Sequence, residues 1–168
     1  MAAVSYAPPW NWLINDFKFR NALDLADSLA RLLLQAQSSQ AETPPSLMVP
    51  VPLNAARLRQ RGYNQSWELA RRCAHRLGCQ ADSALLIRIK DTSRQASLSR
   101  EQRAINMRGA FAVEPTRRCE IRGRAITLVD DVMTTQATAG EAARTLLAAG
   151  ALSVDVWVVA RTSSVSSP

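Results

Sequence analysis

The sequence predicts an α/β domain with a mainly parallel sheet flanked by helices. Three observations carry that prediction. Short β-branched or apolar runs near 47–51, 84–89, 125–130 and 153–160 alternate with segments of helical apolar spacing, the pattern of a parallel sheet. A chain of 168 residues with 47% hydrophobic content makes one domain able to bury most of its apolar surface. The two segments richest in chemistry, Arg57–Arg61 and Asp130–Thr138, each follow a predicted strand, and open α/β sheets hold ligands outside the carboxyl ends of their strands. Residues 1–162 are expected to form this domain, with 1–45 a small N-terminal helical hood and 163–168 a disordered tail.

The first predicted helix opens at Pro9, with Trp10, Leu13, Ile14 and Phe17 on one face. A second fits 22–35, with Leu25, Leu29, Leu32 and Leu33 inward. The aromatics of this segment suit a hood over a site, and equally suit ordinary packing. Leu47–Leu53 reads as a short strand near its end, because Pro50 and Pro52 cannot sit in a strand's centre. Arg57, Arg59 and Arg61 then fall on an expected loop that Gly62 can bend. Asn64 can cap the following helix, whose inner side would be Trp67, Ala70, Cys73, Ala74 and Leu77, with Gly78 as its stop.

Ala84–Ile89 is the next strand, and 90–102 a polar run containing Arg94, Gln95 and Arg100. Ser99 and Gln102 have capping-box spacing for a short helix. Arg103 and Asn106, three residues apart, share its face and suit bracing of the fold better than ligand contact. The segment 112–124 is expected as a hairpin or loop.

The stretch 126–141 organises the rest. Ile126–Val129 is a buried strand by composition. Asp130 and Asp131 follow, and carboxylates do not sit unpaired in a core, so the strand is expected to end there. Thr134, Thr135 and Thr138 make a hydroxyl-rich turn, and Thr138 with Glu141 has the spacing of a capping box that starts a helix ending at Gly150. Free amides of such a turn favour an anion, and the two acids can accept from sugar hydroxyls or hold Mg²⁺, directly or through water. A phosphate site beside a diol site suits a ribose 5-phosphate.

The segment Val129–Thr138 resembles the phosphoribosyl pyrophosphate (PRPP) binding motif of type I phosphoribosyltransferases, with Gln136 where glycine is usual. If that position requires φ > 0, glutamine is strained there by about 1–2 kcal/mol. Val49-Pro-Val-Pro-Leu53 followed by Arg61-Gly-Tyr-Asn-Gln65 resembles the ComF/GntX family, competence and DNA-utilisation proteins with a phosphoribosyltransferase domain. Arg103, Asn106, Gly109 and Phe111 match a further element of that family. The resemblance implies a type I phosphoribosyltransferase-like fold. Asp130 and Asp131 would be the catalytic acids and Mg²⁺ contacts. Thr134, Thr135, Gln136, Ala137 and Thr138 would hold the 5-phosphate, and Arg57, Arg59, Arg61 and Gly62 the pyrophosphate. Arg94, Gln95 and Arg100 would lie on a flexible loop that closes over substrate. The family usually begins with a four-cysteine zinc module. Cys73, Cys79 and Cys119 supply no such ligand set, so no zinc is expected in this chain.

The net charge of +7 comes almost wholly from arginine, since Lys18 and Lys90 are the only lysines. The sequence pI is near 10.3. Both features fit a polyanionic small substrate or nucleic acid, and equally a merely basic soluble surface. Three unpaired cysteines fit a reducing cytoplasm, and no apolar run is long enough for a membrane span. No P-loop precedes a Lys-Ser/Thr pair, and the single histidine, His75, argues against a Ser/His/Asp set. Two functions remain open, beside a partner-binding domain that holds no ligand. One is Mg²⁺-dependent phosphoribosyl transfer from PRPP to an acceptor the sequence does not name. The other is a non-catalytic module binding PRPP or single-stranded DNA. A homodimer is compatible with either.

Overall fold

The computed structural model describes residues 1–38, 45–91 and 100–162. Five parallel strands form the main sheet: β1 (Ala2–Ser5), β2 (Leu47–Pro50), β3 (Gln80–Ala81), β6 (Ala125–Met133) and β7 (Ser153–Arg161), in the spatial order β1-β7-β6-β2-β3. A two-stranded antiparallel ribbon, β4 (Leu86–Arg88) with β5 (Phe111–Val113), stands apart from it. The helices are α1 (Trp10–Phe19), α2 (Leu25–Ser38), α3 (Ala55–Arg61), α4 (Gln65–Leu77), α5 (Arg100–Met107) and α6 (Ala137–Ala148), with a 3₁₀ turn at Pro115–Glu120.

Alternation along β6 sends Ile126 and Leu128 to one face and Val129 to the other. On the Val129 side, Ile14 and Phe17 of α1, Leu29 and Leu33 of α2, and Leu69 and Cys73 of α4 close one core. On the other side, Ala142 and Leu146 of α6 pack with Leu86, Phe111 and Ile121. Helix α4 connects β2 to β3 over the first face, and α6 connects β6 to β7 over the second. With right-handed crossovers, the chain therefore leaves the adjacent strands β2 and β6 in opposite directions. That reversal opens a crevice beyond the carboxyl ends of these two strands.

Four expectations need correction. The strand foreseen at 84–89 is not in the main sheet; it pairs antiparallel with β5, Ile87 opposite Ala112. The expected arginine loop is helix α3: the Asn54 side chain accepts the Arg57 N–H at 2.8 Å to start it, and Gly62 in the left-handed region ends it. Strand β6 does not stop at Asp130 but runs to Met133, because both acids find partners within the protein. Thr138 and Glu141 form no capping box. Helix α6 begins at Ala137, and the Glu141 carboxylate accepts the Gly109 N–H at 2.6 Å and the Arg144 guanidinium instead.

Of the segment expected as a hood, residues 2–5 are the edge strand β1, α2 packs beside α4 in the core, and Tyr6 with α1 reaches the crevice. Arg94, Gln95, Ser99 and the tail at 163–168 lie outside the described residues, and Arg100 is the first residue of α5.

Candidate functional site

The crevice is a cleft of about 470 Å³, walled by α1, the β2–α3 connection, α3, the start of α4, β4, α5 and the β6–α6 bend. Its floor is the acid pair. Asp130 Oδ1 accepts the Ser66 hydroxyl and the Asp131 N–H, each at 2.9 Å. Asp131 is 7% exposed, and its Oδ1 lies 3.0 Å from Lys18 Nζ. As a residue Asp130 is partly accessible through the cleft, yet enough protein surrounds its carboxyl to make charging costly. Burial pushes its pKa up, and the negative charge of Asp131 adds to that; Lys18 and the Ser66 hydroxyl pull the other way. The balance holds the carboxyl above the ordinary carboxylate range.

Beside the acids, Thr134, Thr135, Gln136, Ala137 and Thr138 all line the cleft. Gln136 sits in the left-handed region at φ 32°, the condition under which a glutamine is strained. Among the described residues, the amides of Thr135, Gln136, Thr138 and Ala139 donate to no backbone carbonyl, as expected at a helix start. The Ala137 amide is different: it bonds the Thr135 carbonyl within the bend, so in this state it is not offered to a ligand.

Across the cleft stand Arg57 and Arg61 of α3. Arg59 points off as an exposed residue, and neither it nor Gly62 lines the cleft. Arg61 donates from Nη1 to Gln65 Oε1 at 2.9 Å and lies 4.8 Å from the Phe19 ring centroid, a cation–π distance. Arg88 of β4 lines the cleft as well, 5.5 Å from the Phe111 ring. Burial lowers its pKa and Arg57 adds to that by repulsion, while Asp91 and Asp130 pull the other way, and Arg57 and Arg88 line the same cleft. An anion placed between such cations relieves the repulsion.

The segment Arg61–Gln65 builds this wall. Asn64 caps α4 by accepting the Ser66 N–H at 3.0 Å, and its amide donates to the Val51 carbonyl at 3.1 Å. That fixes Ser66 against Asp130. The Tyr63 hydroxyl bonds the Phe17 carbonyl at the end of α1.

Sequence reasoning singled out Asp130, Asp131, the threonine bend, Arg57 and Arg61, which the structure brings around one space. It missed Lys18, Ser66 and Arg88, and set aside Arg103 and Asn106, which also line the cleft. Arg88 was legible as the one charged residue on the cleft side of an apolar strand. Lys18 was visible only as one of two lysines in an arginine-rich chain.

No protein-family model matches the chain. It is 40% identical over 166 residues to the DNA utilization protein YhgH of Salmonella typhi, covering 96% of this chain and 71% of that protein. It is 37% identical, at the same coverage, to the DNA utilization protein YhgH of Escherichia coli (strain K12). With the Competence protein F of Haemophilus influenzae the identity is 34% over 160 residues, covering 93% of this chain and 69% of that protein. Among solved structures, the glutamine PRPP amidotransferase from B. subtilis complexed with ADP and GMP superposes with a TM-score of 0.54 at 20% identity over 81% of this chain. The allosteric regulatory enzyme of purine biosynthesis gives 0.52 at 19% identity over the same share. The chain spans about a quarter of each of these two, 26% and 25%. Likeness at that level shows the fold, which is the type I phosphoribosyltransferase-like fold expected from the motifs. With 34–40% identity across nearly its whole length, the chain belongs to the family of DNA utilization protein YhgH and Competence protein F.

Proposed function

We propose that the cleft binds PRPP through its ribose 5-phosphate half, and that the protein acts as a phosphoribosyltransferase-like component of DNA uptake or utilisation. The observation that carries the reading is the meeting, at the switch point between β2 and β6, of an acid pair, a threonine bend with unbonded amides, and converging arginines. Each matches one part of the ligand. Asp130 and Asp131 take the ribose hydroxyls. The amides and hydroxyls of Thr134, Thr135, Gln136 and Thr138 take the 5-phosphate. Arg57, Arg61 and Arg88 face the diphosphate.

In a transfer reaction the bond from the anomeric carbon to the diphosphate oxygen breaks and a bond to the acceptor forms. The positive charge that develops on the sugar lies over the acid pair, which stabilises it electrostatically. The acceptor is unassigned.

Magnesium does not fit the acid pair as it stands. Asp131 already holds an ammonium at 3.0 Å, and one Asp130 oxygen already accepts two hydrogen bonds.

A non-catalytic binding module is the second reading. It is favoured by Gln136 at φ 32° and by the Ala137 amide being used inside the bend. Calorimetry with PRPP on the wild type and on Asp130→Asn/Asp131→Asn tests the first reading: heat for the wild type and a loss of at least about tenfold in affinity for the variant are expected, and equal heats would remove the site. For the second, anisotropy titration of single-stranded DNA should weaken steeply with salt; a flat response contradicts it.

A further inference from the structure

The charge at the acid pair belongs to the protein. Three consecutive residues at the end of α1 are each held separately. Phe17 is fully buried, its ring centroid 5.9 Å from that of Tyr63, and its carbonyl takes the Tyr63 hydroxyl. Phe19 lies under the Arg61 guanidinium at 4.8 Å. Between them Lys18 reaches into the cleft, its Nζ 3.0 Å from Asp131 Oδ1, with the two side chains 13% and 11% exposed. An ion pair so shielded from water is screened little by salt, and the contacts of both flanking residues hold the stretch of backbone from which Lys18 reaches. Tyr63 and Arg61 both come from the Arg-Gly-Tyr-Asn-Gln segment, so one office of that segment is to seat Lys18.

We propose that Lys18 serves as the resident cation of this site, so that the ribose phosphate is bound here without a divalent metal. The inference rests on the sugar-phosphate reading above and deepens it. A divalent ion brought to Asp131 would meet an ammonium already at ion-pair distance, and two cations of that size repel strongly in a site with little water. Asp131 Oδ1 faces the ammonium, and its second oxygen is left for a sugar hydroxyl. Lys18 is thus a positioning residue that acts through Asp131.

Two measurements on the full chain test this. Calorimetry with ribose 5-phosphate is run in EDTA and in excess Mg²⁺, on the wild type, Lys18→Met and Lys18→Arg. The wild type is expected to bind equally, within about twofold, in both buffers. Lys18→Met is expected to lose at least about tenfold in EDTA and to recover in Mg²⁺, with Lys18→Arg between them. Electron paramagnetic resonance with Mn²⁺ alone should show no tight site in the wild type and one site in Lys18→Met. A wild type that binds the sugar phosphate only with Mg²⁺ overturns the assignment of Lys18 and leaves the sugar-phosphate reading standing. A wild type that binds in neither buffer overturns both. Tight Mn²⁺ binding by the wild type, or a Lys18→Met protein that matches wild type in EDTA, overturns the assignment even if the variant is less stable.

Discussion

Replacing Gln136 by glycine isolates the cost of the bend. The residue sits at φ 32°, is exposed, and its carbonyl accepts the Gly140 N–H at 2.7 Å, a bond that glycine keeps. Left-handed backbone costs a non-glycine residue about 1–2 kcal/mol. Glycine loses more backbone freedom on folding, which returns about 0.5–1 kcal/mol. The difference leaves Gln136→Gly about 0.75 kcal/mol more stable, within a span of ~0 to ~1.5. For a chain of this size that is an upward shift of about 1.5–3 °C in Tm, or about 0.4 M in urea midpoint with a slope near 2 kcal/mol/M. Gln136→Ala is the control: it keeps the strained backbone and removes only exposed side-chain atoms, so its stability should stay within about 0.5 kcal/mol of wild type. Urea denaturation followed by circular dichroism reads both. The reasoning is refuted if Gln136→Gly is destabilised by more than about 1 kcal/mol, or if alanine gives the same gain as glycine.

Three further expectations follow from contacts away from the bend. Tyr63→Phe removes the hydroxyl that satisfies the Phe17 carbonyl and should cost about 1–3 kcal/mol in urea unfolding; an unchanged midpoint would show the contact to be idle. The Arg144 guanidinium, with the Gly109 N–H adding to it, holds the Glu141 carboxyl below its ordinary pKa. A carboxyl depressed in the folded state stabilises above its unfolded pKa and loses that contribution as pH falls through the folded value. The stability gap between wild type and Glu141→Gln should therefore be about 0.5–1 kcal/mol at neutral pH, discounted for the exposed arginine, and should close below about pH 4; a gap that widens in acid contradicts this. Burial pushes the Cys73 thiol up to about 12, whereas Cys119 is exposed. Mass spectrometry after alkylation of the native protein should find Cys119 modified first and Cys73 only on unfolding.

The fold was legible where composition is monotonous. Ile126–Val129 and Ser153–Ala160 could be little but buried strands, and Asn64 with Gly78 marked both ends of α4. What escaped was too short or too charged to read. Strand β1 has four residues and β3 two, below the length at which a period of two can be told from chance. Helix α3 was hidden because its arginines suggested a solvated loop, although Asn54 and Gly62 bracket it as caps. The assumption that carboxylates end a strand failed because the partners of Asp130 and Asp131, Ser66 and Lys18, lie 64 residues ahead and on another helix. Long-range pairing of this kind leaves no local trace, and for the same reason Lys18 was passed over while Arg57 and Arg61 were not.

The most direct test of the sugar-phosphate site is amide chemical-shift mapping by heteronuclear NMR with ribose 5-phosphate. The amides of Thr135, Gln136, Thr138 and Ala139, with those of Asp130 and Asp131, are predicted to shift first and saturably, while Gly123 and the 3₁₀ turn at Pro115–Glu120 stay still. Shifts scattered over exposed arginines, or none at the bend, would contradict the account.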